Sequence, residues 1–506
     1  MGSMNKENEK NKSRDSQGTI KWKWEDMILP LLTIVLLVIN GIRIFNSSIS
    51  GDEGFSLMLA KMSMGDMLTA TAADVHPPLY YIMIMFFGKV TGYTAVAGRV
   101  LSYLAIVTVA ILANTYLKKR FGAYAAAIFF ALLTFTNNAI EMIVEIRMYT
   151  WAMVFVLLTA LFAYELMRLE EAYRGSLWKW AGLCVCGLAA GYLHYYALIM
   201  VVLIDLFLFM VLLYRKPRNI LPCIVVSIAS VIVYFPWLLV LIKQFGAVSN
   251  DYWISNIEVK DWIRYIFGEG RIGQILRITL LLSGLIFLVT RDGLQIETDV
   301  FERKKNVHLN LKWEKHPMDA ERYLVLLCGL TTIGTIAVGA IVSYIFRPLY
   351  VSRYIYSAFG LITLAFGISF THCSRRKVYT WILLIYILLF GSRSFMTQYQ
   401  LERSYHNQTR EAVAYIQENM KVDDIIVTDH SQLSWTVLDY YCPENEIITL
   451  GNNDLMAADF DECWYMNDGA ELNEKIVAFE KQGLKVTKIK EMGIGRYPFT
   501  LYKLEK

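Results

Sequence analysis

The chain is built around repeated apolar runs of about eighteen residues or more, such as Met27–Phe45 and Ile220–Ile242. A run of that length crosses the ~30 Å hydrocarbon core as a helix, because in lipid every backbone N–H and C=O must find a partner within the protein. With 56% of its 506 residues hydrophobic, the chain carries more apolar surface than a soluble core of this size needs. The fold class that follows is an α-helical polytopic membrane protein. The 31 Tyr and 12 Trp suit the two interfacial belts of such a protein, and a few of them also suit sugar stacking. Net charge is only +4, and no nucleic-acid partner is expected. The seven Cys show no zinc spacing. Cys184, Cys186, Cys223 and Cys328 sit in apolar runs and read as packing residues. Cys442 and Cys463, in the polar C-terminal part, read either as a disulfide in an oxidising compartment or as two free thiols.

Spans are expected near 27–45, 98–117, 122–141, 148–167, 178–193, 196–214, 220–242, 273–290, 322–345, 354–371 and 378–394, about eleven in all. The run 27–45 is too long for a signal-peptide core and lacks a small-residue cleavage site, so it reads as a retained first helix. Residues 1–26 are polar and charged and read as a disordered cytoplasmic N-terminus. With that end inside, every inner loop carries a basic cluster: Lys118-Lys119-Arg120, Arg168 with Arg174, Arg215-Lys216 with Arg218, Arg303-Lys304-Lys305, and Arg375-Arg376-Lys377. This satisfies the positive-inside rule. Counting Leu79–Phe87 as a span would place all those clusters outside. It is short and follows Pro77-Pro78, so it reads as an interfacial or re-entrant helix. Ile49–Met67 reads as a second surface helix. Three parts result: the tail 1–26, a membrane domain 27–394 whose first outer loop spans 46–97, and an extracytoplasmic α/β domain 395–506. In the last, Thr409–Met420 and Glu471–Gln482 read as helices. Asp424–Thr428, Glu446–Leu450, Val486–Glu491 and Phe499–Lys503 read as strands.

Polar residues gather at the outer span ends. They are Asp52-Glu53, Asp74-Val75-His76, Glu145-Ile146-Arg147-Met148-Tyr149, His194-Tyr195-Tyr196, and Arg347 through Arg353-Tyr354. Carboxylates beside a bilayer are costly unless they serve a purpose. A partly desolvated carboxylate is suited to general-base work on an acceptor hydroxyl. Arginines at the membrane surface are suited to holding a lipid phosphate through paired hydrogen bonds and to stabilising charge on a departing phosphate. Tyr and Trp offer faces and hydroxyls to a sugar. A plainer reading stands beside each: Asp52-Glu53 as a helix cap, Asp74 as a turn residue before proline, His76 and His194 as hydrogen-bonded packing residues, Glu145 with Arg147 as an interfacial pair, Arg347 and Arg353 as snorkelling side chains.

These segments resemble those of the protein O-mannosyltransferase and aminoarabinose transferase superfamily, glycosyltransferase family 39 of the GT-C fold. Asp52-Glu53 resembles its first acidic motif and Asp74-Val75-His76-Pro77-Pro78-Leu79 its second, and the likeness in order and topology spans about residues 27–400. The resemblance implies an inverting enzyme that takes a sugar from a polyprenyl phosphate at the outer face of the cytoplasmic membrane. It implies Asp52 as catalytic base with Glu53 nearby, and Asp74 and His76 shaping the pocket. Arg147 and Arg353 are the candidates for phosphate contacts. Glu145, Tyr149, His194, Tyr195, Arg347 and Tyr354 complete the donor and acceptor set. Some relatives use a divalent metal such as Mg or Mn, for which Asp52, Asp74 and Glu145 are the candidate ligands. The loop 243–272 is too short for the β-trefoil insertion of the eukaryotic mannosyltransferases, and the tail domain stands in its place. The acceptor is therefore left open among protein, lipid and cell-envelope glycan. Rival readings are a GT-C polymerase or ligase of whole glycans, a flippase or transporter of lipid-linked glycans, and a sensor or assembly protein that binds through its tail.

Overall fold

A computed structural model describes the chain outside residues 1–24, 169–175, 248–269, 290–294, 299–306, 311–317, 346–350, 375, 430–432, 451–460 and 468–471. The expected N-terminal tail and Arg347 thus lie outside the described residues, apart from the last residues of the tail.

The bundle begins with α1 (Glu25–Gly41). The first loop then folds as two helices rather than one, α2 (Gly51–Lys61) and α3 (Met64–Ala73). The break falls where Ser63 leaves helical backbone and caps α3 by accepting the Asp66 N–H. Helix α4 (Leu79–Thr91) starts directly after Pro78. Its 13 residues reach only about 20 Å, too short to cross a bilayer. Next come α5 (Ala95–Leu112), α6 (Ala123–Phe135), α7 (Tyr149–Arg168), α8 (Leu177–Leu193), α9 (Tyr195–Arg215), α10 (Ile220–Ala247) and α11 (Gly270–Val289). The expected single helix over 122–141 is interrupted at Thr136 before a short turn, Asn137–Met142. A small antiparallel hairpin, β1 (Gln295–Thr298) with β2 (Val307–Asn310), precedes α12 (Ala320–Ile345) and α13 (Phe359–Cys373).

Among the described residues eight helices are long and apolar enough to cross a membrane, and four shorter apolar ones accompany them. The chain is a multi-pass membrane protein. Helix faces pointing outward carry exposed Leu, Ile and Val, for example Leu31, Val202, Leu281 and Ile333. Such faces are at home in lipid and not in water. α6 and α13, by contrast, are apolar on every side and buried over most of their length, from Ala125 to Phe135 and from Phe359 to Ser369, the mark of helices at the centre of a bundle.

The last helix, α14 (Lys377–Asn419), runs 43 residues without a break. It passes straight through residue 394, and the expected helix Thr409–Met420 is its final quarter. Its apolar first half packs in the bundle. Its second half carries the sheet built from β3 (Ile425–Thr428), β4 (Ile447–Thr449), β5 (Glu462–Asn467), β6 (Lys485–Ile494) and β7 (Tyr497–Glu505), in spatial order β4-β3-β5-β7-β6. The first three strands are parallel and the last two antiparallel. Side chains alternate with the period of two that a strand imposes. Ile425, Val427, Cys463, Tyr465 and Leu504 face α15 (Leu472–Lys481) through Phe479. Ile426, Trp464, Met466 and Leu501 join the core of the bundle. Cys442 and Cys463 are free and buried, so the two thiols form no disulfide.

The two ends of the bundle differ in charge. At one, Arg120 donates to the Tyr164 hydroxyl (2.9 Å), Lys179 binds Glu165 (2.9 Å), and Lys216 donates to the Met167 carbonyl (3.0 Å). This gathers the basic clusters 118–120, 168 and 215–216. The same helices deliver Arg99, Tyr149 and Tyr195 at their other ends, where the first loop lies.

Candidate active site

Ser50 starts α2 with a reciprocal cap. Its hydroxyl accepts the Glu53 N–H, and the Glu53 carboxylate accepts the Ser50 N–H. This places Asp52 and Glu53 in one helical turn but points them differently. Glu53 is 6% exposed and fully engaged. Arg99 binds it through Nε (3.2 Å) and a terminal nitrogen (3.0 Å), and the Ile146 N–H donates to it at 3.3 Å. Arg99 also donates to the Asn46 and Ser48 carbonyls, which ties the entry to α2 onto α5. Arg99→Ala would leave Glu53 buried without its counter-charge. The expected cost is about 3–5 kcal/mol, measurable as a fall in thermal unfolding temperature of the detergent-solubilised protein.

Asp52 keeps a third of its side chain open, with Arg353 at 2.9 Å from one carboxylate oxygen and Arg147 at 4.0 Å from the other. Burial acts to raise its pKa, but the charges of Arg147 first and Arg353 second outweigh it and hold the group at about 2. Asp52 is therefore ionised at any physiological pH. Behind it runs a relay. Asp74 accepts from His76 Nδ1 (3.0 Å), His76 Nε2 faces an Arg147 terminal nitrogen (3.2 Å), and Arg147 also reaches the Tyr81 hydroxyl (3.3 Å). Burial and the Arg147 charge push the His76 pKa down against the pull of Asp74. The ring is thus neutral, donating to Asp74 and accepting from Arg147.

Aromatic rings wall the opposite side. Tyr149 stacks loosely under the Arg353 guanidinium (5.8 Å). His194 lies 4.9 Å from Tyr354 and 5.5 Å from Tyr149, centre to centre, and accepts the Tyr196 N–H as the cap of α9 (3.2 Å). Burial holds its pKa well below the ordinary value. Tyr195 turns away. Its hydroxyl bonds Gln244, which in turn donates to the Thr71 and Ala72 carbonyls (3.1 and 3.2 Å), so it joins α9, α10 and the end of α3.

Four buried polar atoms around Asp52 have no hydrogen-bond partner: Arg147 Nε, Arg353 Nε, the Tyr149 hydroxyl and Glu145 Oε2. Native interiors rarely leave such atoms unmatched, so their convergence marks a place built for a polar ligand. Burial first, and the Asp52 charge second, raise Glu145 to about 8 against the pull of Arg353, leaving it protonated at neutral pH. A raised folded-state pKa contributes stability that is complete below the unfolded value near 4.5 and is lost as pH rises through about 8. Glu145→Gln is therefore expected to raise the unfolding temperature by roughly 1–3 °C at pH 8 and by less at pH 5.

The three acids named as metal ligands do not form a donor set as they stand. Guanidinium groups occupy both sides of Asp52, and Asp74 is bonded to His76. No group of three or more His, Cys, Asp or Glu suited to a metal ion occurs among the described residues. Residues that the sequence reading passed over are Arg99, Tyr81 and Arg496. A signal existed for Arg99: an arginine inside the apolar stretch Ala95–Leu112 has to be paired. None existed for Arg496, which lies in the C-terminal domain.

The whole arrangement can be set beside solved structures. No family model and no curated protein matches the sequence. ArnT from Cupriavidus metallidurans in the apo state superposes with a TM-score of 0.63 at 10% identity, over 94% of this chain and 97% of that one. The chain has the GT-C fold. The same ArnT bound to undecaprenyl phosphate gives a TM-score of 0.59 at 11% identity, with the same coverage. Because nearly all of both chains is covered, the GT-C likeness extends through the C-terminal sheet as well as the helices.

Proposed function

We propose that the chain is a membrane glycosyltransferase that moves a sugar from a polyprenyl-phosphate donor to an acceptor hydroxyl, with Asp52 as the general base. The observation that carries this reading is the pairing of Asp52 with two guanidinium groups among four unsatisfied buried polar atoms at one end of the bundle. A base held near pKa 2 is weak, and the arginines explain how it becomes stronger. When the donor phosphate enters, Arg353 and Arg147 turn part of their charge toward it, and the Asp52 pKa rises as its counter-charges are shared. The acceptor oxygen then attacks the anomeric carbon from the face opposite the phosphate, Asp52 takes the hydroxyl proton, and the sugar–phosphate C–O bond breaks with its electron pair leaving on the polyprenyl phosphate. Arg353 and Arg147 stabilise that charge. Configuration inverts in one displacement. Protonated Glu145 offers a hydrogen bond to the sugar or phosphate, Glu53 and Arg99 position the turn that carries Asp52, and Tyr149, His194 and Tyr354 form the wall against the sugar.

Two further observations favour a lipid-linked donor. An apolar groove of ≈ 550 Å³ lined by Leu68, Leu79, Ile82, Leu188, Tyr192 and Trp237 opens beside Pro78, two residues from His76, and suits a prenyl chain. ArnT, the GT-C relative in fold, is described with undecaprenyl phosphate bound. The ionisable residues near the site lie at span ends, beside the membrane surface where a lipid phosphate sits. The basic end of the bundle faces the cytoplasm in this reading, so the site and residues 395–506 lie outside. A cysteine introduced as Glu418→Cys, at an exposed position, should then react with an impermeant maleimide added to intact cells. Labelling only after lysis would reverse the orientation. The activity itself is tested with purified protein and a panel of radiolabelled polyprenyl-phosphate sugars. Consumption of one member with release of polyprenyl phosphate is expected, and intact donors across the panel in the presence of protein, lipid and glycan acceptors would oppose the assignment.

A further inference from the structure

The turn that carries Asp52 is held from outside the membrane domain. Gly51, the first residue of α2, leaves its N–H unused by the helix, as helix starts do. The Tyr497 hydroxyl at the head of β7 accepts it at 2.9 Å. Tyr497 follows a two-residue turn, Gly495-Arg496, that closes the β6–β7 hairpin. Gly495 has φ +63, and a Cβ there would lie 2.8 Å from the Ile49 carbonyl oxygen, so the turn touches the backbone just before α2 and tolerates no side chain at that position. The Gly495 N–H is fixed by the Thr409 hydroxyl of α14 at 2.7 Å. The other side of α2 is met by the short helix Leu433–Leu438. A Cβ on Gly54 would stand 2.2 Å from the Thr436 carbonyl oxygen, so backbone rests on backbone. Neighbouring segments are tied in the same way. Tyr441 donates to the Ser47 carbonyl, the Ser47 N–H meets His406 at 2.9 Å, and the Tyr440 hydroxyl accepts the Ala95 N–H at 2.9 Å.

We infer that the C-terminal domain is a working part of the active site: its β6–β7 turn caps the helix that bears Asp52, with Tyr497 as a positioning residue, and its Leu433–Leu438 helix seats the same turn from behind. Ser50 and Glu53 satisfy the start of α2 from within the loop, but Gly51 relies on Tyr497. A catalytic carboxylate on a turn of that kind is only as well placed as the surfaces around it, and displacements near 1 Å cost reaction rate steeply. The sheet therefore cannot be shed or loosened without moving Asp52. Arg496, exposed at the tip of the same turn, adds its positive charge to those acting on Asp52, which places the domain at the rim of the cleft.

This inference rests on Asp52 being the base, and the test separates the two claims. Hydrogen–deuterium exchange of the full chain in detergent needs no substrate. Tyr497→Phe, which keeps the ring and removes the acceptor, is expected to speed exchange across residues 47–62 by roughly tenfold while the bundle helices keep their protection. With the donor that the wild type consumes, kcat should fall by about tenfold and KM should stay within about twofold. Gly495→Ala, which strains the turn itself, should act in the same direction. Unchanged exchange in 47–62, or faster exchange with kcat intact, would overturn the inference. Full turnover by Asp52→Asn beside a loss in Tyr497→Phe would uphold the clamp and fail the base.

Discussion

Arg353→Ala is expected to weaken binding of undecaprenyl phosphate by roughly 30- to 4,000-fold, the range that follows from truncating one partner of a hydrogen-bonded charge pair at about 2–5 kcal/mol. Arg353 stands 2.9 Å from Asp52 and over the Tyr149 ring, and its Nε is buried without a partner. The side chain thus has both a charge to lend and a donor still free. Arg353→Lys should recover part of the affinity and little of the specificity, since an ammonium supplies the charge without the planar fork. The measurement is a titration of the carrier lipid into detergent-solubilised protein. Affinity equal to wild type in Arg353→Ala would move the phosphate site elsewhere on the bundle. The same substitution removes one of the charges that hold Asp52 near pKa 2, so the Asp52 pKa should rise.

The second large effect belongs to Asp52. Asp52→Asn keeps the shape of the side chain and removes its ability to take a proton, and turnover should fall by roughly 10²–10⁴-fold. Stability should fall as well, because Asp52 is the carboxylate that faces the buried Arg147 and Arg353 and its depressed pKa stabilises the fold at neutral pH, so turnover is compared on preparations that still unfold cooperatively. The pH dependence follows from the neighbours. Asp52 is ionised throughout the neutral range, so the acid limb reports its pKa in the donor complex, above the value of about 2 in the free protein. The alkaline limb has a different origin. Glu145 loses its proton near pH 8 and then places a second negative charge beside the base and the phosphate. Activity should decline above about pH 8 in the wild type, and that limb should be absent in Glu145→Gln.

Much of this molecule was legible in its sequence. Long apolar runs announce spans because lipid admits no unpaired backbone, and basic clusters announce the side on which their helices end. Asp52, Asp74, His76, Arg147 and Arg353 meet within one site, since each sits at the same end of a helix that the charge pattern had already oriented. The sequence did not disclose that Asp52 and Glu53, adjacent and alike, would part company. One faces the cleft and the other is spent on Arg99, and the choice is made by the Ser50 cap and by the packing of α5. Tyr195 was assigned to the same site, but its hydroxyl turns to Gln244, because the start of α9 directs neighbouring side chains to different faces. Strand β5 went unseen: Glu462–Asn467 is a central strand flanked on both sides, and its polar ends mask an apolar middle. The unbroken run of α14 was hidden because its composition changes from apolar to polar while its helical geometry continues. Least visible of all was the contact between Tyr497 and Gly51, which are 446 positions apart, a separation that no local pattern encodes.

The central claim is that Asp52, flanked by Arg353 and Arg147, is the base for sugar transfer from a polyprenyl phosphate. The most direct measurement compares wild type and Asp52→Asn side by side, with release of polyprenyl phosphate from the consumed donor and binding of undecaprenyl phosphate read on the same preparations. The account predicts that the variant still binds the carrier lipid and releases essentially none from the donor. Release within a few-fold of wild type by Asp52→Asn would contradict it.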